Sequence, residues 1–141
     1  MKSSPTSYFA DIDFLLFKVE KWLFGVDVEQ VTQIIRGVDS SKSTIHFEGE
    51  ELPISPFLAK YKLKGEANSS SMENILVVGA KGRYLALAVD MIDNVLALSP
   101  RTHIAPLPPL VKGKKELSCL WGVAKKEDDL ILLVNLDQYE E

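Results

Sequence analysis

Two histidines, one cysteine and a few neighbouring carboxylates are the residues of this 141-residue chain with the most obvious chemical potential. His46 and His103 each lack a second histidine or cysteine three or four positions away, the spacing a zinc site needs. Cys119 lies in the apolar run Leu117 to Trp121 with no elbow motif around it, so it reads as a core thiol and not a nucleophile. The pairs Glu50/Glu51 and Asp128/Asp129 fall in apparent turns, where solvated acids need no acid–base role to explain them. Gly79-Ala-Lys-Gly82 lacks the third glycine and following helix of a dinucleotide loop, and reads as a hairpin turn. Neither a catalytic site, a metal nor a cofactor is expected.

Charge and composition narrow the class further. Twenty acidic residues against sixteen basic ones give a formal charge of −4, which removes the general attraction that nucleic-acid binders use for phosphate. The basic run Lys112 to Lys115 and the segment Pro106-Leu-Pro-Pro109 read as a solvated loop and a stiff connector. Asn68-Ser-Ser70 matches a glycosylation acceptor, a pattern that has meaning only in a secreted chain. Residues 1–13 form an expected loose tail without a signal-peptide core. Apolar runs such as Ile75 to Val78 and Leu130 to Val134 are strand-sized, well short of the roughly 20 residues that span a bilayer. A lone cysteine excludes an internal disulfide, and the expectation is a cytoplasmic protein with no direct membrane insertion.

The elements that position these residues are read as strands. Phe14 to Phe17, Trp22 to Phe24, Val26 and Val28 alternate branched or aromatic residues with polar interruptions, as in strands joined by a tight turn. Val31, Ile34 and Ile35 also suit a helical turn, but their β-branched character favours strand. Gly37 to Ser43 reads as a loop, Thr44 to Ile54 as a hairpin, and Ser55-Pro56 as the start of a short helix carrying Phe57, Leu58 and Tyr61. Lys64 to Ser71 reads as a connector; strands then recur at Ile75–Val78 and Tyr84–Val89, with an extended stretch Ser99–Pro109, a last hairpin over Leu117–Ala124 and Asp129–Leu136, and a closing helical turn in Asp137–Glu141.

One offset organises the pattern. Leu15/Leu76, Leu16/Val77, Phe17/Val78, Phe24/Leu85, Val26/Leu87, Val28/Val89, Val31/Ile92 and Ile34/Val95 all stand 61 apart, since 76 − 15 and 95 − 34 are both 61. The expectation is one all-β domain over 14–141 built from two β units, about 14–65 and about 72–137, each a small five-stranded SH3-like barrel, with one or two short helices in all and strand exchange between the halves allowed.

At this level the chain resembles CheW-like domains. The run Phe14 to Ile35, the stretch Ile75 to Leu98 with Val89-Asp90, Ile92 and Val95, and Leu120-Trp-Gly-Val-Ala124 through Asp137 follow the order of that family over about nine tenths of the length. The resemblance implies a non-catalytic adaptor in a bacterial chemosensory array, binding a CheA-like histidine kinase, other CheW-like domains and chemoreceptor cytoplasmic tips. Val31, Ile34, Ile92 and Val95 match positions that line partner surfaces in such proteins, or are simply core. Gln33 stands where the family carries a glutamate, Glu48 stands before Gly49 where it carries an arginine, and the long loop after Ile35 is largely missing. An altered receptor contact follows from these departures, because a reversed interfacial charge is costly. The alternative class is a small-ligand-binding β-barrel outside chemotaxis, which requires an enclosed cavity.

Overall fold

The computed structural model describes residues 11–39, 41–57, 72–80, 82–107 and 119–138. In chain order the strands are β1 (Ile12–Val19), β2 (Trp22–Asp27), β3 (Val31–Asp39), β4 (Thr44–Phe47), β5 (Glu50–Pro56), β6 (Met72–Ala80), β7 (Arg83–Val89), β8 (Met91–Leu98), β9 (Ile104–Ala105), β10 (Leu120–Lys126) and β11 (Asp129–Val134). They form two sheets, ordered β8-β1-β2-β11-β10-β9 and β3-β6-β7-β5-β4.

The two orders are the same plan written twice. The offset of 61 carries β1, β2 and β3 onto β6, β7 and β8, and the hairpin β4–β5 takes the place that β10–β11 takes in the other sheet. Each half lends its third strand to the other sheet: β3 pairs antiparallel with β6, and β8 with β1. Each sheet also has one parallel contact, β11 on β2 and β5 on β7. The linear division into two units therefore describes the repeat, while each sheet draws on both.

Strand alternation builds three apolar layers from this plan. One set of side chains from the first sheet, including Phe14, Leu16, Leu23, Ile131 and Leu133, packs into a private core that also receives Leu98 and Ile104 from its two edge strands. In the second sheet, Ile75, Val77, Ala86 and Ala88 pack with Ile45 and Phe47 of β4 and with Ile35 and Val38 of β3. Opposite edges meeting in one core mean that each sheet is rolled into a barrel. The other faces, through Leu15, Phe17, Phe24 and Val26 on one side and Leu76, Val78, Leu85 and Leu87 on the other, make a third core between the barrels.

Phe57 lies at the centre of that shared layer, edge-on to Phe17 at 5.2 Å and to Phe24 at 5.1 Å between ring centres. Its peptide N–H donates to the Ala88 carbonyl at 3.0 Å, which fixes the chain as it leaves β5. Seven of the eight repeat pairs fall in equivalent layers, and only Ile34/Val95 does not.

Several local expectations change. Ser55 and Pro56 end β5 instead of capping a helix, and the rest of that expected helix lies outside the described residues. Proline is tolerated there because it is the strand's last residue, where a missing N–H costs little. Gly37 to Asp39, expected in a loop, belong to β3. Helical structure among the described residues is confined to the 3-10 turns Val28–Gln30 and Leu136–Gln138. Of the tail expected over 1–13, Ile12 and Asp13 belong to β1, while residues 1–10, the connector Lys64–Ser71, the Lys112–Lys115 run and Asn68–Ser70 lie outside the described residues.

Candidate interaction surface

The two exchanged strands carry most of the residues singled out from the sequence. Val31 and Ile34 are partly buried against the inter-barrel core, an arrangement that plain alternation forbids for residues three apart. A bulge resolves it: Val31 pairs with Val78 and Gln33 with Val77, so Thr32 is the extra residue and the phase shifts by one. The i, i+3 spacing that resembled a helical turn is a bulged strand.

Strand β8 repeats the device. Ile92 pairs with Phe17 and Val95 with Leu15, three steps on one strand against two on the other. Ile92 is buried in the inter-barrel core, whereas Val95 is 52% exposed. Gln33 is exposed on β3. Val31, Ile34 and Ile92 thus meet in one layer, and Gln33 and Val95 face solvent from the strands that hold them.

Glu48 and Gly49 stand apart from this group. They form the β4–β5 turn with φ of 51° and 82°, and both are exposed. Gly49 is required by its backbone conformation, since a Cβ there would meet nothing within 4 Å. Neither residue contributes to the inter-barrel core that gathers Val31, Ile34 and Ile92.

Residues with chemical potential are accounted for locally. Cys119 is buried, and loss of solvation pushes its thiol up to about 11, so it stays protonated near neutrality. His103 Nδ1 accepts the Ser99 N–H at 2.8 Å, while exposed His46 lies 3.8 Å from Glu51 across the β4–β5 hairpin. The Asp39 carboxyl is held below its ordinary value by the Ser41 N–H that it accepts at 2.9 Å. Among the described residues, no group of three or more His, Cys, Asp or Glu side chains is placed to hold a metal ion.

A cleft of about 480 Å³ opens beside the 3-10 turn Val28–Gln30, lined by Phe14, Trp121, Asp27, Gln30, Asn135 and Asp137 among others. Gln30 ties its two sides together: its Oε1 accepts the Leu136 N–H at 3.0 Å and its Nε2 donates to Asn135 Oδ1 at 3.4 Å. Sequence patterning did not single out Gln30, because its partners lie more than 100 positions away. It also missed the exposed apolar residues Trp22, Met91, Trp121 and Leu130, which sit in runs whose neighbours are core.

With the bulged, exchanged strands in view, comparison with known proteins places the molecule. The family described as the CheW-like domain matches residues 13–140, nearly the whole chain. The chain belongs to the CheW-like domain family. A curated relative, the chemotaxis protein CheW of Rhizobium meliloti (strain 1021), is 34% identical over 93 residues, 66% of this chain and 58% of its own length. The chain therefore matches little more than half of that relative. The crystal structure of the scaffolding protein TtCheW from Thermoanaerobacter tengcongensis superposes with a TM-score of 0.74 at 21% identity, over 89% of this chain and 90% of that one. That likeness establishes the fold of this CheW-like domain: two SH3-like barrels packed together. No helix of the described residues is long and apolar enough to cross a membrane.

Proposed function

We propose that this CheW-like domain is a non-catalytic cytoplasmic scaffold of a bacterial chemosensory array, binding a CheA-like histidine kinase, other CheW-like domains, or both. The observation that carries the reading is the family match through both halves, residues 13–140. The names of its relatives agree with it, one being a chemotaxis protein and another a scaffolding protein. In this reading Val95 and Gln33 touch the partner directly, and Val31, Ile34 and Ile92 set the shape of the strands that present them. Glu48-Gly49, with Gln33, changes the contact to receptor tips, because a carboxylate now stands where the family carries a guanidinium.

The small-ligand barrel has less to support it. Both barrel interiors are filled by fully buried side chains such as Leu16, Ile131 and Leu133 in one and Ile75 and Val77 in the other. Titration calorimetry with a CheA-like regulatory domain tests the proposal. Val95→Asp puts a charge on an exposed apolar position without disturbing the core and is expected to weaken binding at least tenfold. Unchanged affinity in folded Val95→Asp and Ile34→Asp variants removes the assigned surface, and no binding by the native chain to kinase, CheW-like domain or receptor tip removes the function.

A further inference from the structure

The cleft beside the 3-10 turn Val28–Gln30 joins an aromatic wall to a rim of one charge. Asp27, Glu29 and Asp137 line it, and none of its described lining residues is basic. Lys18, Lys21, Lys125 and Lys126 lie toward the other end of the first sheet, beside the β1–β2 and β10–β11 turns. Arg83 lines an adjoining hollow that shares Gly79 and Asp137 with the cleft, and the other described bases line neither. With Arg83 counted, three carboxylates stand against one guanidinium, an excess of two negative charges.

Trp121 supplies the aromatic wall, and the strand aims it there. Leu120 pairs with Val134 and Gly122 with Leu133, so Trp121 is the extra residue of a β-bulge, a device that turns a side chain out of strand alternation. Its ring is 42% exposed and packs against buried Phe14, 6.3 Å away between ring centres and tilted by 36°. The acidic side is held by hydrogen bonds. Asp27 Oδ1 accepts the Glu29 N–H at 2.9 Å, and the two bonds of Gln30 to Asn135 and Leu136 fix the 3-10 turn against the chain leaving β11. Groups fixed in advance lose little freedom when a ligand arrives.

We infer that this cleft is a docking site for an arginine side chain presented by a partner protein. The indole face attracts cations through its ring quadrupole, and the carboxylates repel anions, so two unrelated features select the same charge. Guanidinium suits both better than ammonium does: it is flat enough to stack on the indole, and its fork of N–H donors fits a carboxylate. At about 480 Å³ the cleft lies in the range of about 300–1,000 Å³ typical of ligand sites, with room for one side chain and the peptide that carries it. None of the described lining residues belongs to β3 or β8, so the site adds to the scaffold reading and stands without it.

The test uses the full chain carrying Trp22→Phe, so that Trp121 alone reports, and a capped synthetic peptide with one arginine flanked by glycine and serine. A saturable change in Trp121 emission is expected, weakened at least fivefold when citrulline replaces the arginine and reduced as salt is raised. Asp27→Asn with Glu29→Gln removes two charges and is expected to weaken binding at least fivefold. The asparagine keeps an Oδ1 for the Glu29 N–H and so keeps the turn, which circular dichroism checks. Glu29→Gln alone, at an exposed position, is the milder second variant. Equal binding of the citrulline peptide overturns the proposal. So does an unchanged affinity in the folded carboxamide variants, a response to spermidine that matches the response to the peptide, or no response at all.

Discussion

Removing the Phe57 ring should weaken the packing of one barrel on the other, and its cost follows from its surroundings. The side chain is fully buried and contacts Phe17 and Phe24 edge-on, at 5.2 and 5.1 Å. Truncation of such a phenylalanine to alanine costs about 3–5 kcal/mol, transfer and cavity terms together. Phe57→Leu keeps most of the volume and loses the two edge contacts, each about 0.5–1.5 kcal/mol, so about 1–3 kcal/mol is expected. The peptide N–H of residue 57 still reaches the Ala88 carbonyl in both variants, which isolates the ring. With an m-value of about 2 kcal/mol/M, the urea midpoint falls by about 2 M for alanine and about 1 M for leucine. For a domain of ordinary stability, about 5–15 kcal/mol, the alanine change is a large fraction. The assay is urea unfolding followed by far-UV circular dichroism and by tryptophan emission, with coincident curves expected for the native protein. A loss under about 1 kcal/mol for Phe57→Ala would refute the claim that this ring fills the inter-barrel core.

Three further outcomes follow from the same packing. A Cβ at Gly25 would lie 3.1 to 3.3 Å from methyl groups of Leu133, Ile131 and Leu16, so Gly25→Val should destabilise by about 1–3 kcal/mol through overpacking, read as a lower melting temperature. Because burial raises the Cys119 thiol from 9.0 to about 11, the native state holds its proton when the unfolded chain has lost it; the resulting stability is fully present below about pH 9 and is lost as pH rises toward 11. Urea midpoints at pH 8 and pH 10.5 should therefore fall further in the native protein than in Cys119→Ala. Ile34→Asp should lower both stability and kinase binding, whereas Val95→Asp lowers binding alone, a split that separates the half-buried position from the exposed one by melting and calorimetry together.

What the residues determined by themselves was the period and its repetition. The short β-rich apolar runs Phe14 to Phe17 and Leu85 to Val89 specify strands, and a shared offset of 61 specifies two copies of one unit, because side-chain periodicity is a local property of the backbone. Cys119 as a core thiol was legible for the same reason. The bulges were not legible, since an extra residue at Thr32 is visible only against the partner strand, and without it Val31 and Ile34 imitate a helix. The end of β5 was misread because Ser-Pro suits a helix start and a strand end equally, and the pairing of Pro56 with Ala88 chooses the strand.

Exposure was the larger gap. Trp22 and Phe24 obey the same alternation, yet one is buried and the other open, because burial depends on how far the second barrel extends across the first sheet. The same holds for Ile92 and Val95 on β8. Local sequence thus determined which residues face the same way, while only the exchange of β3 and β8 and the packing of barrel on barrel decided which of them meet a core and which are left for a partner.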